Sequence, residues 1–336
     1  MRNQILRLLR CHDKGFLSGE ELSGKLSVSR TTVWKQIQSL KIDGYEIEAH
    51  PRLGYALRGV PDRMLANEIQ EKLQTTVFGN TIHTFSEIGS TNNEAKSRAA
   101  KGEPEGTIII AESQSTGRGR LSRGWFSPPG KGIWFSLILR PPFLPYLAPQ
   151  CTLMAAVAVT RALRQMTNLP CGIKWPNDIL LDGKKLVGIL TEMSAEMDQI
   201  NYVVIGIGIN VNIRADEFPP ELQTIASSLQ IATGQPVART DLLCLILQEM
   251  EQLYNQSVQE GFGAVLASWR ELSQTLGQVV DVYTPEEHYS GIAIDIDNEG
   301  GLLVDTDQGR QRVIAGDVSI RPRSHSSTRE DIHGCS

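Results

Sequence analysis

The amino-acid sequence predicts an α+β protein built from three successive parts. Apolar residues recur at helical spacing as far as Leu40, and long β-like runs then alternate with helices through the middle of the chain. After Leu276 the pattern changes to short alternating segments separated by turns rich in Gly and Asn, which is typical of a small barrel. We therefore expect a helical amino-terminal module, a mixed α/β central body and an all-β carboxyl-terminal module.

The composition is that of an ordinary globular protein, with 336 residues of which 40% are hydrophobic and 21% charged. No apolar run is long enough to span a bilayer, and the residues after Met1 lack the apolar stretch of a signal peptide. The five cysteines are scattered, with no CxxC pair and no histidine at metal-ligand spacing. We expect a cytoplasmic protein with no structural zinc and no membrane partner.

Residues 1–60 show the pattern of a winged helix-turn-helix, and their net charge of +4 contrasts with the acidic remainder. Two short amphipathic helices precede Ser29, a natural N-cap for a third helix over residues 30–40. A helix-turn-helix from Gly19 to Gln38 would place the polar face of that third helix in a DNA major groove. The candidate DNA-binding residues on this face are Arg30, Thr31 and Lys35.

Two alternatives remain open in this region. A three-helix protein-interaction domain would show the same apolar spacing as a DNA-binding module. Trp34 could pack against a wing formed by the strand-like segments around His50, which we prefer, or it could face the DNA. The linker to the next domain is expected to begin at Pro61, because proline ends the second strand of the wing.

The segment from Gln114 to Trp125 holds three arginines and three glycines between two β-like runs. Glycine lets backbone N–H groups approach a ligand closely, and guanidinium groups bind phosphate and carboxylate oxygens. The segment is therefore a candidate anion-binding loop that bridges two core strands. The alternative is a solvated, charged hairpin.

Three further segments carry candidate ligand groups. Ser90-Thr91-Asn92 precedes a helix and, taken alone, is better explained as an ordinary N-cap than as a ligand site. The run 172–181 places Lys, Trp, Asn and Asp around Pro176, which breaks the strand there. In the next β-like run, one of the paired lysines Lys184 and Lys185 should point inward. The glycines at 206 and 208 allow a close approach but lead into more strand, so they form no dinucleotide-binding motif.

Taken together, these segments resemble the bacterial bifunctional biotin-protein ligases and biotin-operon repressors, over residues 1–323. The motifs stand in the order of that family: Ser90-Thr-Asn92, Gln114, Gly117-Arg-Gly-Arg120, Trp125, Lys174-Trp-Pro-Asn-Asp178, Lys185-Leu-Val-Gly-Ile-Leu190 and Gly206-Ile-Gly-Ile-Asn210. The resemblance implies a winged helix-turn-helix at 1–61, a mixed-sheet biotin/lipoate ligase-like catalytic domain at 62–274 and an SH3-like β-barrel at 275–323. The polar residues 324–336 are expected to form a disordered tail.

The resemblance implies an ATP-dependent biotin-[biotin carboxyl carrier protein] ligase. Biotin and MgATP would give biotinoyl-5′-AMP, and a lysine of the carrier protein would then displace AMP. In the family, the adenylate-bound protein forms a homodimer that binds operator DNA of biotin synthesis genes as a repressor, and the carrier protein competes for the dimer surface.

The resemblance also implies the site residues. Arg120 and Lys185 would be catalytic, since cations cancel the repulsion between the biotin carboxylate and the ATP α-phosphate. The residues expected around biotin or its adenylate are Ser90, Thr91, Asn92, Gln114, Arg118, Gly119, Arg120, Lys185 and Gly188. Those expected around ATP and Mg²⁺ are Trp125, Lys174, Asn177 and Asp178, with Asp178 as the Mg²⁺ ligand.

The sequence departs from the commonest family pattern at Leu121-Ser122, where an Arg-Gly pair is frequent. This change is expected to affect how tightly the adenylate is retained. Two alternative functions stay open: a lipoate- or octanoate-protein ligase, which shares the fold and the acyl-adenylate chemistry, and a biotin-sensing DNA-binding regulator without turnover.

Overall fold

A computed structural model describes residues 1–12, 15–120, 123–283 and 287–314, and the backbone of 319–322. The predicted tail and the Leu121-Ser122 pair lie outside these residues. The chain divides into two compact units, Met1–Asn67 and the part that begins at Glu68. The first unit extends beyond the expected linker at Pro61, because Leu65 packs on its core and Asn67 donates a 2.7 Å hydrogen bond to the Tyr45 hydroxyl.

The first unit is a winged helix-turn-helix, as predicted. Its elements are α1 (Arg2–Cys11), α2 (Gly19–Leu26), α3 (Arg30–Ile42), β1 (Glu46–His50) and β2 (Gly54–Gly59), with β1 and β2 antiparallel. Ser18 and Glu21 form a capping box on α2, and the Ser29 hydroxyl accepts a 3.1 Å hydrogen bond from the Thr32 amide to cap α3. Val33, Ile37 and Leu40 bury one face of α3 in the core of this unit.

The preferred interpretation of Trp34, that it packs against the wing, is not borne out. The side chain is 52% exposed and is absent from the apolar cluster that joins the helices to β1 and β2. Its position on α3 explains this, because Trp34 follows Val33 on the helix and points away from the buried 33–37–40 stripe. The candidate DNA-binding residues Arg30, Thr31 and Lys35 are also exposed.

The second unit is built on a seven-stranded mixed sheet with the strand order β3-β4-β5-β9-β8-β7-β6, in which β3 and β4 are parallel and the other pairs antiparallel. Its strands are β3 (Ile82–Phe85), β4 (Ile108–Ala111), β5 (Gly132–Leu139), β6 (Gly172–Lys174), β7 (Asp178–Leu181), β8 (Lys184–Glu196) and β9 (Gln199–Asn210). The helices are α4 (Ala66–Lys72), whose first two residues belong to the first unit, α5 (Thr91–Ala100), α6 (Ala148–Thr167), α7 (Leu229–Thr233), α8 (Arg239–Glu260) and α9 (Gly263–Leu272). Within the described residues, no helix combines the length and apolar character needed to cross a bilayer.

Helices cover both faces of this sheet. On β8, Glu192 turns toward α5 and hydrogen-bonds Asn92, whereas its neighbour Thr191 turns the other way and bonds Thr152 of α6 at 2.7 Å. α6 is buried along most of its length, against β8 and the helices α8 and α9. The face toward α5 is therefore the one that remains available for a site.

The carboxyl-terminal strands form an antiparallel sheet of five, in the order β13-β12-β11-β10-β14. These strands are β10 (Val279–Tyr283), β11 (His288–Ile296), β12 (Leu302–Thr306), β13 (Gly309–Val313) and β14 (Ser319–Pro322). The predicted antiparallel module is thus present, with β13 and β14 at its two edges in the described pairings. Its β11–β12 turn contacts the central body, where the Trp175 indole N–H donates to the Gly300 carbonyl oxygen at 3.0 Å.

A buried carboxylate joins α8 to the segment before β3. Glu251 is 8% exposed and accepts hydrogen bonds from the backbone N–H groups of Thr76, Val77 and Phe78 at 2.7 to 2.8 Å. Burial alone would raise the pKa of this carboxyl, but the three backbone donors together outweigh it and hold the pKa below the usual value of 4.5. The ionised carboxylate therefore stabilises the folded state.

We expect Glu251→Gln to lower the free energy of unfolding by about 1–3 kcal/mol at pH 7, because one backbone donor loses its acceptor. The folded-state pKa lies below that of the unfolded chain, so the contribution is present above the unfolded pKa and is lost as the pH falls through the folded one. Urea unfolding of both proteins at pH 7 and pH 3.5 measures this. A stability difference that does not shrink at the lower pH would contradict the assignment.

Candidate functional site

The described central body contains a cavity of about 760 Å³ on the face of the sheet that carries α5. Every ligand-site residue predicted for this body lines it: Ser90, Thr91, Asn92, Gln114, Arg118, Gly119, Arg120, Trp125, Lys174, Asn177, Asp178, Lys185 and Gly188. These residues come from six separate stretches of sequence. A second cavity, of about 670 Å³ beside Arg140, contains none of them.

Glycines form the floor of the larger cavity. Gly188 of β8 lies opposite Gly208 of β9, and Leu190 lies opposite Gly206 in the same register. A Cβ atom added at Gly206 would stand 1.9 Å from the Asn92 Oδ1 atom, and one at Gly208 would stand 2.4 Å from the Trp125 Nε1 atom. Because these glycines have no side chains, the space above them is free for Asn92 and Trp125 to occupy.

The amino-terminal end of α5 is not capped in the ordinary way, which corrects the interpretation favoured for Ser90 alone. Ser90 occupies the N-cap position but its side chain makes no capping hydrogen bond. Instead the Gln114 Oε1 atom accepts from the Thr91 backbone N–H at 2.9 Å, and the Gln114 amide donates to the Ser127 hydroxyl at 3.0 Å. The loop after β4 thus supplies the cap, and Ser90 faces the cavity.

Asn92 is held on both sides of its carboxamide. Its Nδ2 atom donates to the Leu190 carbonyl at 3.1 Å and to the Glu192 carboxylate at 2.9 Å, and its Oδ1 atom accepts from the Ser136 hydroxyl at 2.6 Å. Lys96 Nζ lies 2.5 Å from the other Glu192 oxygen. Buried polar groups with every partner in place hold a fixed geometry.

The arginine-glycine loop is a charged hairpin and also forms part of the cavity wall, so it has features of both alternatives. Gly119 donates to the Arg123 carbonyl at 2.7 Å and Trp125 donates to the Gly117 carbonyl at 2.9 Å, so the two described arms pair as a hairpin. The hairpin is charged, and Arg118, Gly119 and Arg120 nevertheless line the cavity. The loop therefore places the cationic side chains of Arg118 and Arg120 on the wall of the cavity.

A cationic corner lies where β6, β7 and β8 meet. Lys185 Nζ is 2.6 Å from Asp178 Oδ1, and Arg120 donates to Asn177 Oδ1 at 3.1 Å. The Asn177 amide also donates to the Ile189 carbonyl at 2.8 Å, and the peptide bond between Trp175 and Pro176 is cis. As predicted, one lysine of the 184–185 pair points inward, and that lysine is Lys185.

Trp125 lies across the glycine floor. Its ring meets Trp134 edge-on with the centroids 6.4 Å apart, and Lys185 Nζ is 5.2 Å from its centroid. An aromatic plane next to a cation gives the cavity a wall suited to a flat, electron-rich ring.

One wall of the cavity was not foreseen from sequence. Residues 218–226 supply Phe218, Leu222, Thr224, Ile225 and Ala226 to the lining. The Lys185 backbone N–H donates to the Ile225 carbonyl at 2.9 Å, and the Ser227 N–H donates to the Lys185 carbonyl at 3.0 Å. No motif or periodicity marks this segment, which we call the cover segment; its only sequence signal is its place after the glycine-containing strand.

Ser136 and Glu192 were also missed. Ser136 is a lone polar residue in the apolar run of β5, and Glu192 lies among several polar residues at the end of β8, so neither stands out in the sequence. The candidate DNA-binding residues belong to the other unit, where Arg30 of α3 forms an exposed ion pair with Glu20 of α2.

Three family models match the chain. The biotin/lipoate A/B protein ligase family matches residues 85–210, an HTH domain matches residues 1–56, and the biotin protein ligase C terminal domain matches residues 275–321. These matches fall on the cavity-bearing sheet, the winged helix-turn-helix and the carboxyl-terminal sheet respectively.

Proteins similar over most of the chain include two named bifunctional ligase/repressor BirA. That of Bacillus spizizenii is 41% identical over 95% of this chain and 98% of its own length, and that of Escherichia coli K12 is 31% identical over 91% and 93%. Among solved structures, a biotin protein ligase from Aquifex aeolicus in complex with biotin and ATP is similar with a TM-score of 0.65 and 29% identity. That match covers 73% of this chain and 100% of the other.

We expect Gly208→Ala to displace the Trp125 ring while leaving the fold intact, because the new methyl group would stand 2.4 Å from Nε1. Fluorine NMR of protein labelled with 5-fluorotryptophan measures this, since the chain has five tryptophans and each gives its own signal. The matched control is Gly263→Ala at the start of α9, where an added Cβ meets nothing within 4 Å. An unmoved Trp125 signal in Gly208→Ala would contradict the close packing.

Proposed function

The chain belongs to the family of bifunctional ligase/repressors, and from that premise we propose that it activates biotin with ATP, transfers it to a carrier-protein lysine, and represses biotin synthesis genes. The observation that carries the proposal is the convergence of the predicted residues on one cavity. Polar groups stand at the α5 end of this cavity, cations at the β7–β8 corner, and an aromatic wall completes it.

The first step joins two anions. An oxygen of the biotin carboxylate attacks the α-phosphorus of ATP, a C–O–P bond forms, and the bond to the departing pyrophosphate breaks. Arg120 and Lys185 lower the barrier by neutralising the negative charge that both reactants bring together, and Arg118 adds a third cation at the wall. Catalysis here is electrostatic, and the step needs no protein nucleophile.

The substrates are assigned along the cavity by chemistry. The hydrogen-bonding end formed by Ser90, Thr91, Asn92 and Gln114 suits the cyclic urea of biotin. The biotin carboxylate and the α-phosphate then lie at the cationic corner, with Lys174 on the phosphate side. Trp125 and the cover segment supply apolar surface for the adenine.

Magnesium fits this corner as an ion that arrives with ATP. In the described residues no group of three or more His, Cys, Asp and Glu side chains could hold a metal ion, so the protein offers no complete cage. Mg²⁺ is commonly bound through one or two carboxylates together with substrate phosphates. Asp178 would be that carboxylate, with Asn177 beside it, and the ion would offset phosphate charge.

In the second step, the neutral amine of a carrier-protein lysine attacks the acyl carbon and loses a proton to solvent, the new amide forms, and AMP leaves with the electron pair of the broken C–O bond. A mixed anhydride hydrolyses in water, so the arginine-glycine loop and the cover segment must exclude solvent in the meantime. The partner is a biotin carboxyl carrier protein, in a reducing cytoplasmic setting consistent with the thiols of Cys151, Cys171 and Cys244.

Regulation combines the two units. We assign DNA reading to residues 1–61, catalysis to 62–274 and a supporting role to 275–323. On β8, residues beyond Leu190 pair with β9 on one side only, since the described β7 partners end at Gly188. An unpaired strand edge is a template for a second copy, so this edge is the surface we propose for an adenylate-dependent homodimer, in competition with the carrier protein.

Two other functions predict different results in the same assay. A lipoate-protein ligase would adenylate lipoate, although the hydrogen-bonding end of the cavity favours a urea over an apolar acyl chain. A sensor without turnover would not need Arg120, Lys185 and Asp178 within one corner. ATP–pyrophosphate exchange with biotin and then lipoate, followed by transfer of labelled biotin to a carrier domain, distinguishes them. No exchange with biotin would rule out the ligase.

Arg120→Gly should loosen the adenylate and increase biotin labelling of bystander proteins, because a cation that retains the intermediate is removed. Lys185→Met should instead lower pyrophosphate exchange about 10²–10³-fold, the cost of losing one charge-stabilising group. Labelling of added serum albumin and exchange rates measure the two effects. Lys184→Met is the matched control, since this exposed neighbour does not line the cavity and, among the described residues, its side chain donates to the Gln223 carbonyl of the cover segment. Equal effects at both lysines would contradict the role of Lys185.

Lys35→Ala should weaken operator binding and leave biotin transfer unchanged. The slope of the logarithm of the binding constant against the logarithm of the salt concentration should become shallower by about one. Fluorescence anisotropy with operator DNA at several salt concentrations measures this. The control is Lys25→Ala near the end of α2, outside the recognition helix. DNA binding that persists unaltered after removal of residues 1–60 would contradict the assignment of this unit.

A further inference from the structure

Two residues of the cationic corner, Asn177 and Asp178, lie at the turn between β6 and β7. Residues 175–177 form this turn, and the strand residues on either side of it are cross-strand partners. Asn177, at one end of the turn, makes backbone and side-chain hydrogen bonds to β8 at 2.8 to 3.0 Å. Pro176 in the middle has a fixed φ, so the turn has few conformations open to it. Whatever holds Trp175, at the other end, therefore also affects the positions of Asn177 and Asp178.

Trp175 is held by the carboxyl-terminal part of the chain. Its side chain is buried, its indole N–H donates to the Gly300 carbonyl at 3.0 Å, and its backbone N–H donates to Thr275 Oγ1 at 2.9 Å. Both acceptors come after α9 in the chain, and Gly300 lies in the turn between β11 and β12. One end of the β6–β7 turn is thus bonded to the central sheet, through Asn177, and the other end to the carboxyl-terminal module.

The β11–β12 turn is itself fixed in shape and position. Asp297 Oδ1 accepts from the backbone N–H groups of Glu299 and Gly301 at 2.9 and 2.8 Å, which closes the turn. Gly300 has a φ of +85°, and a Cβ atom there would stand 2.7 Å from Leu153 Cδ1 of α6. The Gly300 carbonyl is therefore presented to Trp175 by a closed turn that packs closely on α6.

We propose that Trp175 is a positioning residue for the nucleotide. Its hydrogen bond to Gly300 lets the β11–β12 turn fix the positions of Asn177 and Asp178, and so raises the affinity for MgATP. The inference rests on the proposed function, in which these two residues hold ATP and Mg²⁺. Trp175 lines the cavity and residues 297–301 do not, so the carboxyl-terminal module acts on the site through this indole. The polar end of the cavity belongs to α5 and the loop after β4, so biotin binding does not depend on this hydrogen bond.

The donor is tested with Trp175→Phe, which removes the indole N–H and keeps an aromatic ring. The matched control is Trp269→Phe in α9, a fully buried tryptophan whose Nε1 has no hydrogen-bond partner among the described residues. ATP–pyrophosphate exchange by the full-length proteins at saturating biotin gives the KM for MgATP. We expect this KM to rise about 3–10-fold in Trp175→Phe, the cost of one buried hydrogen bond, and to stay within about twofold in Trp269→Phe. The Kd of biotin, measured by calorimetry without ATP, should be unchanged in both variants.

The acceptor is tested with Gly300→Ala, which displaces the carbonyl without changing Trp175, because the new Cβ atom would stand 2.7 Å from Leu153. The matched control is Gly309→Ala at the start of β13, where φ is also positive but an added Cβ meets nothing within 4 Å. The KM for MgATP should rise about 3–10-fold in Gly300→Ala and stay within about twofold in Gly309→Ala. The double variant Trp175→Phe/Gly300→Ala should be no worse than the weaker single variant, since both changes remove the same hydrogen bond.

Four results would overturn the inference. An unchanged KM in Trp175→Phe would show that the hydrogen bond does not position the nucleotide site. Equal rises in the two tryptophan variants would assign the effect to lost core volume, and a parallel loss of biotin affinity would show a general loosening of the cavity. Multiplied effects in the double variant would show that the two residues act independently.

If Trp175→Phe does not fold, the comparison of Gly300→Ala with Gly309→Ala decides by the same KM. If the wild-type protein shows no exchange with biotin, the proposed function fails instead, which keeps the two failures distinct.

Discussion

The site depends on a strip of sheet from which side chains are missing. Gly188, Gly206 and Gly208 stand next to one another on β8 and β9, and the space above them holds the Asn92 carboxamide and the Trp125 ring. A single methyl group at either β9 glycine would collide with one of those side chains. The polar end, the aromatic wall and the volume of the cavity all follow from this one property of the backbone.

The second property of the site is the fixed position of its two cations. Arg120 and Lys185 reach the same corner from different elements, and each has a fixed partner there, Asn177 and Asp178 respectively. The corner therefore holds cations in place before a ligand binds, so little reorganisation is needed when negative charge accumulates.

The sequence predicts much of this because most of the relevant residues occur in distinctive local patterns. The Ser29 cap, the apolar stripe of α3 and the arginine-glycine loop are all local, and local signals survive folding. Ser90 shows where such reasoning fails, since the residue that bonds the start of α5 is Gln114, which is distant in sequence and arrives only when the sheet forms. Trp34 fails for a related reason, because helical spacing identifies the buried face but not whether an aromatic beside it finds cover. The cover segment and Glu192 had no local signal at all.

The backbone of Lys185 carries a consequence of its own. Its N–H donates to Ile225 of the cover segment and its carbonyl accepts from Ser227, the residue that follows the segment. The cover segment is therefore hydrogen-bonded to the backbone of the residue whose side chain faces Asp178. A displacement of the segment from the cavity would break these two hydrogen bonds to the Lys185 backbone. One residue of β8 therefore anchors both the apolar wall of the cavity, through its backbone, and the cationic corner, through its side chain.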